Sequence, residues 1–317
     1  MPFSLGRAER VRGENGPMTT STTSTTSTTS TSSFLSDADR TPVATYTWAD
    51  VPGQPTGVVQ IAHGLAEHGE RYDRFARALN AAGFVVHAVD HRGHGRTANG
   101  RLGDFGAAGF GGLIADVAQF GAALRAQHGG LPVFLFAHSM GSFAAQATML
   151  DHASTWSGVV LSGSTALDAF AAAMANAPAN APAGLEAFNA GFEHRTGYEW
   201  LSRDPAEVDA YVANPWCGWD VPADVIPALF APAPRVADPA RLAGIRSDLP
   251  VLIASGDADP LAGGGALIQL LGQRYRDAGL ADVTVKLYPG ARHEILNESN
   301  RDEVTADIVA WLRAHAG

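Results

Sequence analysis

The sequence is short of several things, and each shortage removes a class of function. Lys286 is the only lysine and lies in a strand-like stretch, Val283 to Tyr288. There is no Gly-Lys-Ser/Thr and hence no P-loop, and a Schiff base would have a single candidate. Cys217 is the only cysteine, so an intramolecular disulfide and a multi-cysteine metal site are both excluded, and the chain does not require an oxidising compartment. Cys217 itself reads as a small buried apolar residue rather than a reactive thiol. No stretch approaches the ~20 apolar residues of a membrane span. The first residues carry Arg7, Arg10 and Arg12 without the apolar run of a secretory signal, and a cytoplasmic location is the expectation. No run of Lys and Arg occurs anywhere. With a net charge of -10, all of it carried by residues beyond 40, the body repels polyanions, and nucleic-acid binding is not expected.

What is present is a globular composition. Apolar residues make up 46% of the 317 and charged residues 17%, against a typical ~25% charged. Residues 19 to 33 are Thr and Ser alone, which bury nothing to offset their ordering entropy. A disordered leader over residues 1–40 is expected, idle rather than a glycosylated or phosphorylated linker, with Met18 a candidate translation start. From residue 41 short β-branched runs alternate with helical segments: Val43 to Trp48, Gly57 to Ala62, Phe84 to Asp90, Pro132 to Ala137, Gly158 to Gly163, Pro250 to Gly256 and Val283 to Tyr288. This is the pattern of a mostly parallel α/β sheet. Apolar residues step by three and four from Phe110 to Leu124 and from Val304 to Leu312, each laying one helical stripe on a sheet face. The alternation stops between residues 165 and 247, a stretch rich in Ala and Pro that includes Ala177 to Pro182 and short helical pieces at Asp204 to Val212 and Ala223 to Phe230. The expected organisation is a core of 41–164 and 248–317 with 165–247 inserted at the carboxyl end of a strand, the edge where ligands bind in open sheets.

The chemistry centres on Phe136-Ala-His-Ser-Met-Gly-Ser142, which follows an apolar strand and precedes a helical stretch. A tight strand-to-helix turn there exposes the Ser139 hydroxyl, with small residues two before and two after it letting the backbone pass. Ala137 stands where such turns usually carry Gly, adding one methyl. A serine hydroxyl needs a base, and the base needs a carboxylate to fix its tautomer. Of the histidines downstream, His152 is at the far end of the following helix, His194 is in the insertion and His315 at the terminus. His293, in the loop after the strand ending at Tyr288, is the best placed. The strand Val251 to Ala254 runs into Asp257 and Asp259, of which Asp259 is preferred because Pro260 fixes its backbone direction; Asp257 is expected to cap the turn. A tetrahedral oxyanion needs two backbone N–H donors. Met140, after the serine, supplies one, and Leu65, which follows His63 and Gly64 at the end of an early strand, the other.

Taken together, His63-Gly-Leu-Ala-Glu-His-Gly69 with Arg71-Tyr72, Asp90-His-Arg-Gly-His-Gly-Arg96, His138-Ser-Met-Gly141, Gly256-Asp-Ala-Asp-Pro260 and Pro289-Gly-Ala-Arg-His-Glu294 resemble the monoacylglycerol lipase and lysophospholipase group of α/β-hydrolases. The resemblance runs over roughly residues 40 to 317. It implies an eight-stranded hydrolase core, a helical cap over about 165–247, a triad of Ser139, Asp259 and His293 and hydrolysis of a lipid-like ester, with His63, Gly64, His138 and Gly141 supporting the site. It also favours Asp259 over Asp257. The Ala137 turn and the Ala/Pro-rich start of the cap depart from the group.

No metal or organic cofactor is expected. His63, His68, His91 and His94 share no focus in the sequence that would make a tetrahedral ligand set, and Glu67, Arg71 and Arg92 read as ion pairs holding loops. Leu167, Phe170, Met174, Leu185, Phe188 and Phe192 either line an acyl channel or form cap core. The expected partner is a small lipid-like ester, with transient contact of the cap with a membrane or micelle. An aminopeptidase of similar fold would require a cap carboxylate for the substrate amine, for which Glu186, Glu193, Glu199 and Glu207 stand available. A dehalogenase or epoxide hydrolase would need Asp where Ser139 stands. A ligand-binding protein on a retained hydrolase fold is the alternative outside enzymes.

Overall fold

The computed structural model describes residues 29–176 and 184–317. Eight strands form one sheet: β1 (Ser30–Leu35), β2 (Pro42–Trp48), β3 (Gly57–Ala62), β4 (Phe84–Val89), β5 (Val133–His138), β6 (Gly158–Ser162), β7 (Val251–Gly256) and β8 (Val283–Tyr288). Their order is β1-β2-β4-β3-β5-β6-β7-β8. β2 pairs antiparallel with both β1 and β4, and every other pair is parallel. Strands β3 to β7 are buried along their whole length, which suits their predominantly apolar content in a sheet covered on both faces.

Helices α1 (Asp73–Ala81) and α10 (Arg301–Ala314) cover one face, burying Phe75, Leu79, Val304, Ile308 and Leu312 against the strands. Helices α2 (Gly109–Gln127), α3 (Met140–His152) and α9 (Ala266–Asp277) cover the other, through Leu113, Val117, Phe143, Ile268 and Leu271 among others. Between β6 and β7 the described chain forms α4 (Leu167–Ala175), α5 (Pro205–Ala213), α6 (Val225–Leu229), α7 (Ala233–Val236) and α8 (Pro239–Leu242). Two of these starts are written in the sequence. Asp204 before Pro205 and Asp238 before Pro239 each accept the backbone N–H two residues on, while proline occupies a helix position whose N–H needs no partner. Leu167, Phe170, Trp200 and Leu229 belong to the same apolar cluster as α2 and α3, so this segment packs on the core and does not enclose one of its own.

The leader expected over residues 1–40 ends earlier. Ser30 to Leu35 pair with Pro42 to Thr47 as the edge strand β1, although nearly all of β1 is exposed. Three things hold it: the backbone ladder, Phe34 stacked on Phe120 with ring centroids 5.4 Å apart, and buried Arg92. The Arg92 guanidinium reaches Asp39 and Asp116 at 2.6 Å each and the Ser36 hydroxyl at 2.5 Å. Residues 1–28 of that leader, and Ala177 to Pro182 with Ala183, lie outside the described residues. Among the described residues no helix is long and apolar enough to cross a membrane.

Candidate active site

Ser139 sits between β5 and α3 with φ +50° and ψ −122°. A non-glycine residue held there stores on the order of 1–3 kcal/mol of strain. Its surroundings enforce the conformation. The Ser139 N–H donates to the Ser162 carbonyl at 2.9 Å, and the Ser139 carbonyl accepts the Ser142 hydroxyl at 2.6 Å and the Ser142 N–H at 2.8 Å. Gly141 lies so close to β3 that a Cβ there would stand 2.3 Å from the Ala62 carbonyl oxygen and 2.6 Å from that of His63. Ala137, the departure from the usual pattern, is buried within β5 beside Ala62 and Leu161.

The Ser139 hydroxyl lies 2.9 Å from His293 Nε2, and His293 Nδ1 lies 2.9 Å from Asp259 Oδ2. The carboxylate fixes the tautomer with the proton on Nδ1, leaving Nε2 to accept from the serine. The other oxygen of Asp259 accepts the Leu261 N–H at 2.9 Å. Asp257 caps the neighbouring turn, accepting the Gly290 N–H at 2.6 Å. Burial of His293 works against its charged form, but the Asp259 carboxylate outweighs this, with Glu294 and Glu67 adding, so its pKa lies above the ordinary imidazole value. Of the other downstream histidines, His152 ends α3, and His315 binds Asp282 at the far end of α10.

The loop after β3 is fixed from two sides by neutral histidines. His63 Nδ1 donates to the Gly64 carbonyl at 2.7 Å while Nε2 accepts the His91 N–H at 2.9 Å. His94 donates from Nδ1 to the Arg92 carbonyl and accepts the Ala66 N–H at Nε2. Burial draws the pKa of each down to about 3, so both rings keep one donor and one acceptor at neutral pH. This places Leu65 beside Ser139, Met140 and His293 in the lining of one cavity. The Met140 N–H opens α3, where the first amides have no partner within the helix and the helix dipole adds positive potential. His138, its pKa lowered to about 4 by burial, packs its ring 4.7 Å from that of His293.

Above the serine is a cavity walled mostly by apolar side chains. Its walls include Phe143 of α3 and Phe170, Leu185, Phe188, Leu229 and Phe230 of the insertion. Of the six apolar residues singled out in the insertion, Phe170, Leu185 and Phe188 line it, and Leu167 is core. Met174 and Phe192 are half-buried against the main cluster. Two residues without an expected role join the site. Trp200 packs its ring 4.8 Å from that of His293, and Glu294, next to His293, forms a two-pronged ion pair with Arg71. Glu294 could have been suspected from its place beside the chosen histidine; Trp200 stands in a segment with no periodicity to give it away. Cys217 is buried, and burial pushes its thiol up to about 12.

A hydroxyl on a strained strand-to-helix turn, with an imidazole and a carboxylate delivered by later strand ends of a mostly parallel sheet, defines an α/β-hydrolase, and the protein is a serine hydrolase. Residues 53–300 match the family model for serine aminopeptidases, S33. The chain belongs to that family, in its monoacylglycerol-lipase-like group. It is 31% identical over 277 residues to a monoacylglycerol lipase of Mycolicibacterium smegmatis, covering 82% of this chain and 89% of that one. It is 28% identical to the monoglyceride lipase of Homo sapiens, covering 82% and 83%. Among solved structures, a thermostable carboxyl esterase from Bacillus coagulans in complex with glycerol superposes with a TM-score of 0.79 at 27% identity, over 91% of this chain and 99% of that one. A Paleococcus ferrophilus monoacylglycerol lipase does so with a TM-score of 0.61 at 25% identity, over 83% and 96%.

Proposed function

We propose that this hydrolase cleaves monoacylglycerol-like carboxylic esters through an acyl-enzyme intermediate, with Ser139 as nucleophile, His293 as base and Asp259 as the group that orients it. His293 takes the Ser139 proton as the oxygen attacks the ester carbonyl. The N–H groups of Leu65 and Met140 hold the oxyanion, and His293 returns the proton to the departing alcohol. Water then repeats the sequence and frees the acid. The observation that carries this reading is the unbroken pair of 2.9 Å contacts from Ser139 through His293 to Asp259 beneath an apolar cavity. Lysophospholipid-like esters, which also present one acyl chain, belong to the same reading.

The aminopeptidase alternative needs an uncommitted carboxylate for the substrate's amine. Glu186 and Glu193 are exposed and do not line the cavity, Glu199 is occupied by Thr196, Gly197 and Asn189, and Glu207 by Arg74. Glu67 and Glu294, the carboxylates that line the cavity, are both held by Arg71. A pure binding role would leave the strain at Ser139 and its hydrogen-bonded base without a use. In the cap, Val212 is the one large apolar side chain found exposed among the described residues, which fits brief rather than anchored contact with a micelle or membrane.

The test is fatty-acid release from a chain-length series of monoacylglycerols, with lysophosphatidylcholine alongside and Ser139→Ala as blank. Turnover lost in the variant is the expected result, and its chain-length optimum sizes the cavity. No release above the blank on any of these esters overturns the lipid assignment. Asp259→Asn should lower turnover by up to about 10⁴-fold; an active Asp259→Asn beside an inactive Asp257→Asn would reverse the choice of acid.

A further inference from the structure

Arg71 lies between the two loops that the ester-hydrolase reading needs in register. On one side its Nη1 reaches Glu67 Oε2 at 2.8 Å, and Glu67 Oε1 accepts the Gly64 N–H at 2.5 Å and the Tyr72 hydroxyl at 2.9 Å. Gly64 directly precedes Leu65. On the other side Nη1 and Nη2 grip both oxygens of Glu294 at 2.6 and 2.8 Å, and Glu294 directly follows His293. Glu294 is fixed further by the Asn297 amide at 2.9 Å and by its own N–H donating to the Leu201 carbonyl at 2.8 Å. The guanidinium also lies 4.9 Å over the ring of Tyr211, whose hydroxyl donates to the Ala66 carbonyl at 2.8 Å. All three charged side chains are almost fully buried.

A buried ion trio adds little net stability once desolvation is counted. A planar, two-pronged guanidinium does, however, fix distance and angle between whatever it joins. We propose that Arg71 is a positioning residue: a charged clasp that sets the oxyanion loop, through Glu67 and Gly64, against the base loop, through Glu294. The proposal rests on the serine-esterase reading. Arg71 touches neither hydroxyl nor imidazole. It governs the separation of the Leu65 N–H from His293, and that separation matters most when the oxyanion forms.

The experiment uses the full chain and a soluble short-chain p-nitrophenyl ester, with Ser139→Ala as blank and circular dichroism as the check on folding. Arg71→Met is expected to lower kcat on the order of 10²-fold, the size of effect that loss of one oxyanion donor produces. KM should stay within about threefold, because the interaction lost is one made in the transition state. Arg71→Lys should fall between the two, since an ammonium is a point charge that cannot grip both carboxylates as a fork does. Arg71→Met/Glu294→Gln should be no slower than Arg71→Met, because one clasp can be broken only once.

The isosteric Glu294→Gln adds a charge readout. His293 faces Asp259, Glu294 and Glu67, with His138 against its ring, and loss of one of these negative charges should move the acidic limb of kcat/KM to lower pH. Wild-type kcat in Arg71→Met, or additive losses in the double variant, would overturn the clasp. If Arg71→Met does not fold, Glu294→Gln decides, and an unmoved limb with unchanged kcat overturns it. Turnover surviving in Ser139→Ala would instead bring down the esterase reading itself.

Discussion

The Trp200 carbonyl accepts the backbone N–H of His293 at 3.3 Å, and the Trp200 ring lies 4.8 Å from the imidazole it supports. The next pair repeats the link, Glu294 N–H to the Leu201 carbonyl at 2.8 Å, and Arg292 donates to the carbonyls of Glu199 and Ser202. Residues 199 to 202 of the insertion are therefore stitched to the loop that carries His293, and the wall of the cavity is joined to the imidazole at this point.

Replacing Trp200 by Ala keeps the carbonyl and removes the ring. Loss of a buried Trp should cost about 3–5 kcal/mol of stability. Turnover of a short ester should drop by at least about 10-fold, because misplacing a reacting group by ~1 Å is enough to cost ~10²-fold. Urea denaturation and steady-state kinetics on the same preparation check both.

At the serine turn, Gly141→Ala should be far more damaging than a change at Ala137. The added methyl at Gly141 meets two carbonyl oxygens of the β3 end at less than contact distance, and relief requires moving α3 away from the loop after β3. Activity should be lost or the protein should fail to fold. Ala137→Gly removes a methyl that the strand already accommodates. It should keep activity within about threefold and lower stability by about 0.5–1 kcal/mol through backbone entropy. Activity assays with melting curves separate the two.

Stability should fall steeply on mild acidification. Burial lowers His63 and His94 to about 3, and His68, His87 and His138 to about 4, while unfolded imidazole titrates near 6.5. A depressed folded pKa contributes stability that is complete above the unfolded value and is lost as pH falls toward the folded one. Each such histidine thus costs up to about 1.4 kcal/mol per pH unit below ~6.5. His293, raised in the fold, acts with the opposite sign but in the window above ~6.5, so it does not oppose the loss below that value. The urea midpoint measured at pH 7, 6 and 5 should drop progressively; a flat profile would mean these rings are solvated.

Deleting residues 1–40 should destabilise the protein, although most of that stretch is Thr, Ser and charge. Arg92 would lose Asp39 and Ser36 and keep Asp116 and a longer, 3.4 Å contact to the Thr41 hydroxyl. Removing a partner from a buried ion pair costs about 3–5 kcal/mol, and the retained Asp116 should place this loss at the low end. Asp39→Ala in the intact chain isolates the ionic part, with thermal melts as the measure.

Seven of the eight strands were legible because β-branched, apolar runs bounded by turn residues leave little else for the chain to form. β1 was not. Its Ser and Thr bury almost nothing, and it exists because β2 offers an edge and because Arg92, distant in sequence, needs Asp39 and Ser36. The His293–Asp259 pairing could be anticipated because both follow the ends of recognisable strands at the carboxyl edge. Asp257 was separable through the bias Pro260 places on its neighbour and through the family resemblance. Glu67 and Arg71 could be read as an ion pair holding a loop, but the place of Trp200 and the link from Arg71 across to Glu294 were hidden for a common reason. They are tertiary contacts between loops, made by residues with no period, and no local pattern records which loop will face which.

The insertion has a further consequence for how this chain can change. β6 and β7 are neighbours in the sheet, Val159 opposite Val251, yet the whole cavity-shaping segment lies between them in sequence. Closing a chain loop costs entropy that grows only with the logarithm of its length, about 0.6 kcal/mol for each doubling. Length changes that keep the residues packed on the core and the contacts of residues 199–202 therefore perturb folding of the sheet very little. The ends that deliver Ser139, Asp259 and His293 stay where the strands put them, while the chamber above them can be resized by local insertion or deletion.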